Sequence, residues 1–249
     1  MNASAPRSTF TVWDLPLRLF HWLLVASIAV AFLSSEEDSV IAGWHIAAGW
    51  VAAVLIVFRL VWGIVGGEHA RFVNFIRPSQ ALAHLKGLGS GRAERTVGHN
   101  PAGGMAVLLL IGSIAAVVAT GWIALQGGEE DLHEGIAWFL LGLIGVHVAA
   151  VIATSILSRE NLVRAMVTGR KKAADHPEVR RVRTASPAAF MAALAVSGAA
   201  IAGIRSIDPQ AFSLQPREGA EREGGDVREG AQEAVKGEAS EHEGKQDRD

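Results

Sequence analysis

The sequence predicts an all-α protein that crosses a membrane several times. Half of its 249 residues are hydrophobic, and they are concentrated in blocks. The clearest block, residues 132–157, carries no charge after Glu134, and at about 1.5 Å per residue it is long enough to cross a hydrocarbon core of roughly 30 Å. Two histidines, His133 and His147, lie within it. Because an imidazole inside a membrane needs a partner, the sequence predicts a helical bundle organised around histidines.

Apolar blocks alternate with polar connections along the chain. The first block follows Pro16, a residue that the first turn of a helix tolerates. The fifth block is rich in alanine and about twenty residues long, so it fits a fifth transmembrane helix, with a helix at the membrane interface as the alternative. The predicted spans are residues 17–33, 40–65, 101–125, 132–157 and 186–207.

The polar connections alternate in charge. The connections SSEEDS (34–39) and QGGEED (126–131) contain acidic residues and no basic one. The connection 66–100 and the segment 158–185 contain more basic than acidic residues. Because basic residues in short loops mark the cytoplasmic side, the N-terminus is predicted to be cytoplasmic and the tail after the fifth span to lie outside. The first fifteen residues lack the features of a signal peptide, so the first span is expected to be retained.

Four histidines lie at two predicted depths. His133 and His147 are 14 residues apart, almost four helical turns, so they share one helix face about 21 Å apart. His21 lies one turn inside the first span, and His45 lies one turn inside the second. With the predicted orientation, His45 is level with His133 near the outer surface, and His21 is level with His147 near the inner surface.

Each level pair fits a flat macrocycle whose iron binds two axial imidazoles. The absence of cysteine excludes disulfides, thiolate iron–sulfur clusters and covalent c-type haem attachment. Two simpler interpretations stay open: each histidine forms a hydrogen bond between helices, or the histidines bind a zinc ion. The spans lack the Asp or Glu that a metal-ion path would carry, apart from Glu134 at an interface. Gly49, Gly142 and Gly145, close to the histidines, leave room for a porphyrin.

The ordered motifs resemble the bacterial cytochrome b561 family, most of all the branch that includes the b-type subunit of nickel–iron hydrogenases. The motifs are VWDLPLRLFHWLL, GWHIAAGW, FRLVWGIVGGEHARF, GHNPAGG, LHEG and GVHVAA. The resemblance implies a four-helix core that binds two haems b, with axial ligands at His21, His45, His133 and His147. It also implies a bacterial inner-membrane location.

The resemblance implies electron transfer as the function. Two imidazoles per iron leave no open coordination position for oxygen. The family resemblance implies a quinone as one redox partner and a c-type cytochrome, a hydrogenase or another dehydrogenase as the other, with membrane lipid around the bundle and no nucleic acid. Two alternatives stay open: a free-standing oxidoreductase that passes electrons from a small substrate such as superoxide to quinone, and a haem-free anchor or metal transporter.

Polar residues near the inner pair are candidates for binding haem propionates or quinone. Arg18 and Arg59 lie at cytoplasmic helix ends, where a guanidinium pairs with a propionate or simply anchors the helix at the interface. His99 and Asn100, in the following loop, are candidates for the quinone site, with an ordinary surface loop as the alternative. The remaining histidines are assigned no role; they are His69, His84, His176 and His242.

The expected domain organisation places the shared core between two charged segments. The last part of the chain, from Arg205, contains seven basic and twelve acidic residues and is too polar to pack a core. It either steers a basic partner protein or is a solvated extension. The expected segments are a cytoplasmic N-terminus (1–15), the four-helix di-haem core (16–170), a basic cytoplasmic linker (171–185), the fifth span (186–207) and a disordered acidic tail (208–249).

Overall fold

The computed structural model is mainly helical, and it describes residues 9–35, 41–89, 96–177, 179 and 182–215. In chain order its elements are β1 (Thr9–Thr11), α1 (Leu15–Leu33), α2 (Ala42–Val65), α3 (Phe72–Phe75), α4 (Pro78–Gly89), α5 (Pro101–Leu125), α6 (Glu130–Ser158), α7 (Leu162–Thr168), β2 (Arg170–Lys172), a 3-10 turn (Ala173–Asp175) and α8 (Pro187–Ile207). Five of the helices, α1, α2, α5, α6 and α8, are long and apolar enough to cross a membrane. The predicted fold class is confirmed.

Three of the five long helices begin with a polar cap followed by proline. A side-chain oxygen in each cap accepts a hydrogen bond from a backbone N–H of the first turn, and proline suits that turn because no partner is needed for its nitrogen. The capping bonds join Asp14 Oδ1 to Leu17 N (3.0 Å), Asn100 Oδ1 to Gly103 N (2.6 Å) and Ser186 Oγ to Ala189 N (3.1 Å). These caps explain why the predicted and observed helix starts agree closely.

Helix α2 lies at the centre of the bundle and packs against α1, α5 and α8. The contacts across these helices show that each neighbour is antiparallel to α2. Near the end of α2, the indole of Trp62 donates to Asp14 at the start of α1 and meets the ring of Phe190 at the start of α8. Near its beginning, Trp50 meets Trp122 at the end of α5. We call the end where α1, α5 and α8 begin the basic end, and the opposite end the acidic end.

Large apolar side chains cover the outside of the bundle. On α6, for example, Trp138 and Phe139 are 59% and 58% exposed, and Ile156 is 70% exposed. A continuous apolar surface of this kind is unfavourable in water, whereas lipid tails cover it in a bilayer. The chain is therefore a multi-pass membrane protein. Several charges on which the predicted orientation depends lie outside the described residues; they are Glu36, Glu37, Asp38, Arg92, Glu94, Arg95, Arg180 and Arg181.

The connection 66–100 differs from the polar loop that the sequence predicts, because it contains the short helices α3 and α4. Phe75 in α3 is buried, and the ring of Phe72 lies directly against Gly63 of α2. These aromatic side chains hold the connection against the bundle. A side chain at Gly63 would collide with Phe72, so this close approach depends on glycine.

The segment expected to be a basic linker contains part of a β-strand, a 3-10 turn and buried side chains. β2 pairs antiparallel with β1, with Phe10 opposite Lys171. The Lys171 ammonium is buried and donates to Glu160 Oε2 (2.9 Å) and to the Thr96 carbonyl (2.6 Å). The other Glu160 oxygen lies 2.6 Å from Nε2 of the buried His176. A buried polar trio, Glu160, Lys171 and His176, therefore ties together segments that are distant in sequence. His176, which was assigned no role above, belongs to it.

The first residues of the segment expected to be a disordered tail are folded against the bundle. Residues 208–215 form turns that return over the acidic end of α2. Asp208 is buried and accepts a hydrogen bond from the Trp50 indole (2.9 Å), and Ala211 is fully buried. The backbone at Gln215 approaches Gly43 so closely that an added Cβ would collide with it. The hydrogen bond from Trp50 stabilises the buried Asp208 carboxylate, and this allows the polar segment 208–215 to pack against α2. Residues 216–249 lie outside the described part of the chain.

Candidate functional site

At the acidic end, the structure brings His45 of α2 and His133 of α6 together. Their ring centroids are 5.9 Å apart and their planes are nearly perpendicular, at 86°. Two imidazoles that share one metal, with each bond about 2 Å long, have centroids about 6 Å apart. The separation of His45 and His133 matches this value, and it is also that of two aromatic rings in edge-to-face contact.

Backbone carbonyls orient both of these imidazoles. His45 Nδ1 lies 2.8 Å from the Ala31 carbonyl, and His133 Nδ1 lies 3.1 Å from the Val117 carbonyl. Because a carbonyl only accepts, each Nδ1 carries the proton and donates it. Each Nε2 is left with the lone pair that binds a metal, which is the usual arrangement around metal-binding histidines. The hydroxyl of Thr120, 3.3 Å from His133 Nδ1, lies beside the second contact.

Gly121 of α5 allows the His133 ring to lie close to the neighbouring helix. An ideal Cβ at this position would be 3.0 Å from Cε1 and 3.2 Å from Nδ1 of His133. Such contacts are tighter than those real Cβ atoms ordinarily make, so a larger residue would displace the ring. Sequence reasoning missed both Thr120 and Gly121. Thr120 has a weak sequence signal, as a rare polar residue in an apolar span.

At the basic end, His21 of α1 and His147 of α6 lie close enough to interact electrostatically, and both are half-buried. The helices that carry the four histidines leave space between them, because α6 packs mainly against α5 and makes little contact with α1 or α2. An ideal Cβ at Gly49, Gly142 or Gly145 would meet no atom within 4 Å. The same is true of glycines on the outer surface of α8, so these positions admit a macrocycle without specifying one.

His99 lies in an aromatic pocket at the basic end. Its ring centroid is 4.5 Å from that of Phe75 and 4.7 Å from that of Trp13. Burial, assisted by neighbouring Arg59 and His69, holds the pKa of His99 far below its usual range, so the imidazole is neutral at pH 7. Burial also lowers the pKa of His69, to which the sequence assigned no role. Of the two loop candidates, His99 therefore lies close to the inner pair, whereas Asn100 caps α5.

Arg59 is a buried cation. Its side chain is 2% exposed, Nη1 donates to the Ala70 carbonyl (3.1 Å), and the guanidinium lies 4.5 Å from the centre of the Phe72 ring. Arg18 lies one turn before His21, and its Nη1 donates to the Thr168 carbonyl (3.2 Å). Each guanidinium keeps a buried nitrogen without a partner among the described residues.

Nitrogens without partners accumulate at the basic end. Among the described residues, each buried side-chain nitrogen or oxygen that lacks a hydrogen bond is a nitrogen of this region. They are Arg18 Nε, Arg59 Nη2, His69 Nε2, Arg71 Nε and His99 Nδ1. Burying such groups without a partner is unfavourable, so the three arginine nitrogens fit a ligand that supplies oxygen acceptors, whereas each imidazole nitrogen donates or accepts according to its tautomer. The carboxylates of haem b are acceptors of this kind.

Comparison with known proteins places this architecture in a family. The model of prokaryotic cytochrome b561 matches residues 12–169, which contain α1 to α7 and all four histidines of the two pairs. The chain belongs to the prokaryotic cytochrome b561 family. This membership identifies it as a membrane cytochrome of the b type, with haem as cofactor and electron transport as its activity. The resemblance stated from the sequence motifs is thereby confirmed.

The chain is similar to curated relatives from several bacteria. It is 28% identical over 209 residues to the probable Ni/Fe-hydrogenase B-type cytochrome subunit of Azotobacter vinelandii, covering 64% of this chain and 86% of the relative. The protein of the same name from Bradyrhizobium diazoefficiens is 24% identical over 219 residues, covering 68% and 88%. The probable Ni/Fe-hydrogenase 1 B-type cytochrome subunit of Escherichia coli is 26% identical over 212 residues, covering 64% and 88%. No solved structure matches the chain.

Proposed function

We propose that this cytochrome binds two haems b and transfers electrons across the membrane. His45 and His133 are the axial ligands at the acidic end, and His21 and His147 are those at the basic end. The observation that carries the proposal is the geometry of the first pair. The two ring centroids are 5.9 Å apart, each Nδ1–H donates to a backbone carbonyl, and each Nε2 is left to bind a metal. His21 and His147, which interact electrostatically at the basic end, would form the second pair.

Haem b would supply reversible one-electron chemistry at each end. The protein would hold and orient the imidazoles, and two imidazoles per iron would favour electron transfer over oxygen binding. Arg18 and Arg59 would bind a propionate of the haem at the basic end, because each keeps an unpartnered buried nitrogen there. This arrangement makes the bundle a path for electrons between the two membrane surfaces.

A quinone is the redox partner that we propose at the basic end. His99 is neutral, enclosed by Trp13 and Phe75, and close to His21 and His147. A neutral imidazole in such a pocket is suited to exchange a proton with a quinone while the electrons pass through the haem. His69, whose ring lies next to Gly98 and whose Nε2 has no partner among the described residues, lies in the same region.

A hydrogenase, another dehydrogenase or a c-type cytochrome is the partner that we propose at the acidic end. The names of the relatives favour a nickel–iron hydrogenase. In this arrangement the protein lies in the bacterial inner membrane with its N-terminus in the cytoplasm, as the basic connections indicate. The acidic end then faces the periplasm, where the partner would dock.

The test is a haem count combined with quinone-linked oxidation. We expect the dithionite-reduced minus oxidised spectrum of the purified full chain to be that of a b-type cytochrome. Pyridine haemochrome analysis is expected to give two haems per chain, and a short-chain quinone is expected to reoxidise them. A protein without haem would contradict the proposal, and haem that quinone leaves reduced would contradict its quinone part.

Enlarging Gly121 is expected to weaken haem binding at the acidic end. In Gly121→Val, the new side chain would push His133 away from the position it shares with His45. We expect haem content to fall from two per chain towards one, and the haem at the basic end to remain. Pyridine haemochrome analysis measures the change. Gly198→Val on α8, where an added Cβ meets no atom within 4 Å, is the matched control and should keep both haems.

A further inference from the structure

The basic residues of this chain are distributed unevenly along the bundle. Between Arg18 and Arg59, and again between Arg95 and Arg159, the sequence contains no Lys or Arg. These two intervals include most of α1 and α2 and all of α5 and α6. The acidic end therefore has very few cations, and Arg205 in the last turn of α8 is the basic residue nearest to it among the described residues.

Carboxylates lie at the acidic end instead. The first turns of α6 and the connection before it carry four acidic residues; they are Glu129, Glu130, Asp131 and Glu134. Glu134 directly follows His133, a proposed axial ligand. Negative charges close to a cofactor disfavour the electron that reduction adds to it.

The basic end has the opposite charge, and part of it is buried. Arg59 is 2% exposed, so little solvent screens its charge. Arg18 lies one turn from His21 on the same face of α1. The carboxylate of Asp14 interacts electrostatically with Arg59. It also accepts hydrogen bonds from the Trp62 indole and from the Leu17 backbone N–H in the first turn of α1. Cations in such surroundings favour the reduced state of a nearby cofactor.

We propose that Arg59 and Arg18 raise the reduction potential of the haem at the basic end above that of the haem at the acidic end. This inference rests on the proposed function, because it needs both haems.

Redox titration of the full chain, followed by visible absorbance, tests the inference. We expect two midpoint potentials, and His45→Ala, which removes the ligand at the acidic end, should leave only the higher one. Arg59→Gln is expected to lower the higher potential and leave the lower one unchanged, whereas Arg59→Lys, which keeps the charge, should restore most of the difference. Arg18→Gln tests the same charge effect on a second residue, and it decides the question if Arg59→Gln fails to fold.

Arg164→Gln is the matched control, because it removes an exposed arginine of α7 on the same side of the membrane. It should leave both potentials where they are. The inference is overturned if the haem that remains in His45→Ala has the lower potential, or if the Arg59 and Arg18 variants shift both haems equally. A chain with fewer than two haems would instead contradict the proposed function, so the two failures are distinguishable.

Discussion

Replacing His45 with alanine is expected to reduce the haem content from two per chain to one, with the remaining haem at the basic end. The same result is expected for His133→Ala, because the two rings are 5.9 Å apart and would share one iron. A haem with one axial imidazole is held far less tightly than one with two, and here no other histidine among the described residues lies at that depth. Pyridine haemochrome analysis and low-temperature reduced spectra measure the loss.

The pairing predicts a specific pattern among the variants. The double variant His45→Ala/His133→Ala should lose no more haem than either single variant, whereas His45→Ala/His147→Ala should lose both haems. His84→Ala, which changes a histidine of α4 outside the two pairs, serves as the control and should keep both. A pattern in which His45→Ala and His133→Ala affect different haems would contradict the level pairing.

Removing the carboxylate of Glu160 is expected to lower the free energy of unfolding by about 3 kcal/mol, since loss of one partner leaves buried charge uncompensated. Glu160 accepts from Lys171 at 2.9 Å and faces Nε2 of His176 at 2.6 Å, and all three side chains are less than one-tenth exposed. In Glu160→Ala, the Lys171 ammonium would keep only its bond to the Thr96 carbonyl. Denaturation in detergent, followed through tryptophan fluorescence, measures the change.

Two further variants separate the loss of charge pairing from a general effect of substitution. Glu129→Ala changes an exposed carboxylate and should change stability by less than about 0.5 kcal/mol. Glu160→Ala/Lys171→Met removes both charges and should recover part of the stability, because no uncompensated ammonium remains. A Glu160→Ala protein that unfolds like the unaltered chain would show that the trio contributes nothing to the fold.

Local sequence features sufficed for the spans and for naming the four histidines as candidate ligands. The third predicted span and α5 have the same bounds, Pro101–Leu125, since Asn100 caps the helix and Pro101 fits its first turn. Hydropathy and helical periodicity depend on residues that are close in sequence, and together they assign each histidine a depth. Arg18, Arg59 and His99 were also found in this way, from their positions at the ends of the spans.

Other features depended on contacts between distant segments, and sequence reasoning missed them. The sequence of the polar connection 66–100 does not indicate that Phe72 packs against Gly63. The polar composition after residue 207 predicts disorder and does not indicate the hydrogen bond between Asp208 and Trp50. In the basic linker, Lys171 looked like one of many surface cations, yet it lies buried against Glu160. In each case the deciding partner comes from another part of the chain.

The sequence by itself determined the membrane-spanning class and the family and named the four histidines as candidates, because length, hydropathy and spacing are properties of continuous segments. Only the tertiary structure decided how His45 and His133 are oriented. Their Nδ1 atoms donate to the carbonyls of Ala31 and Val117, and His133 fits beside Gly121. Every residue has a backbone carbonyl, so the composition of a segment does not reveal which one will meet an imidazole; that choice is made when the helices pack.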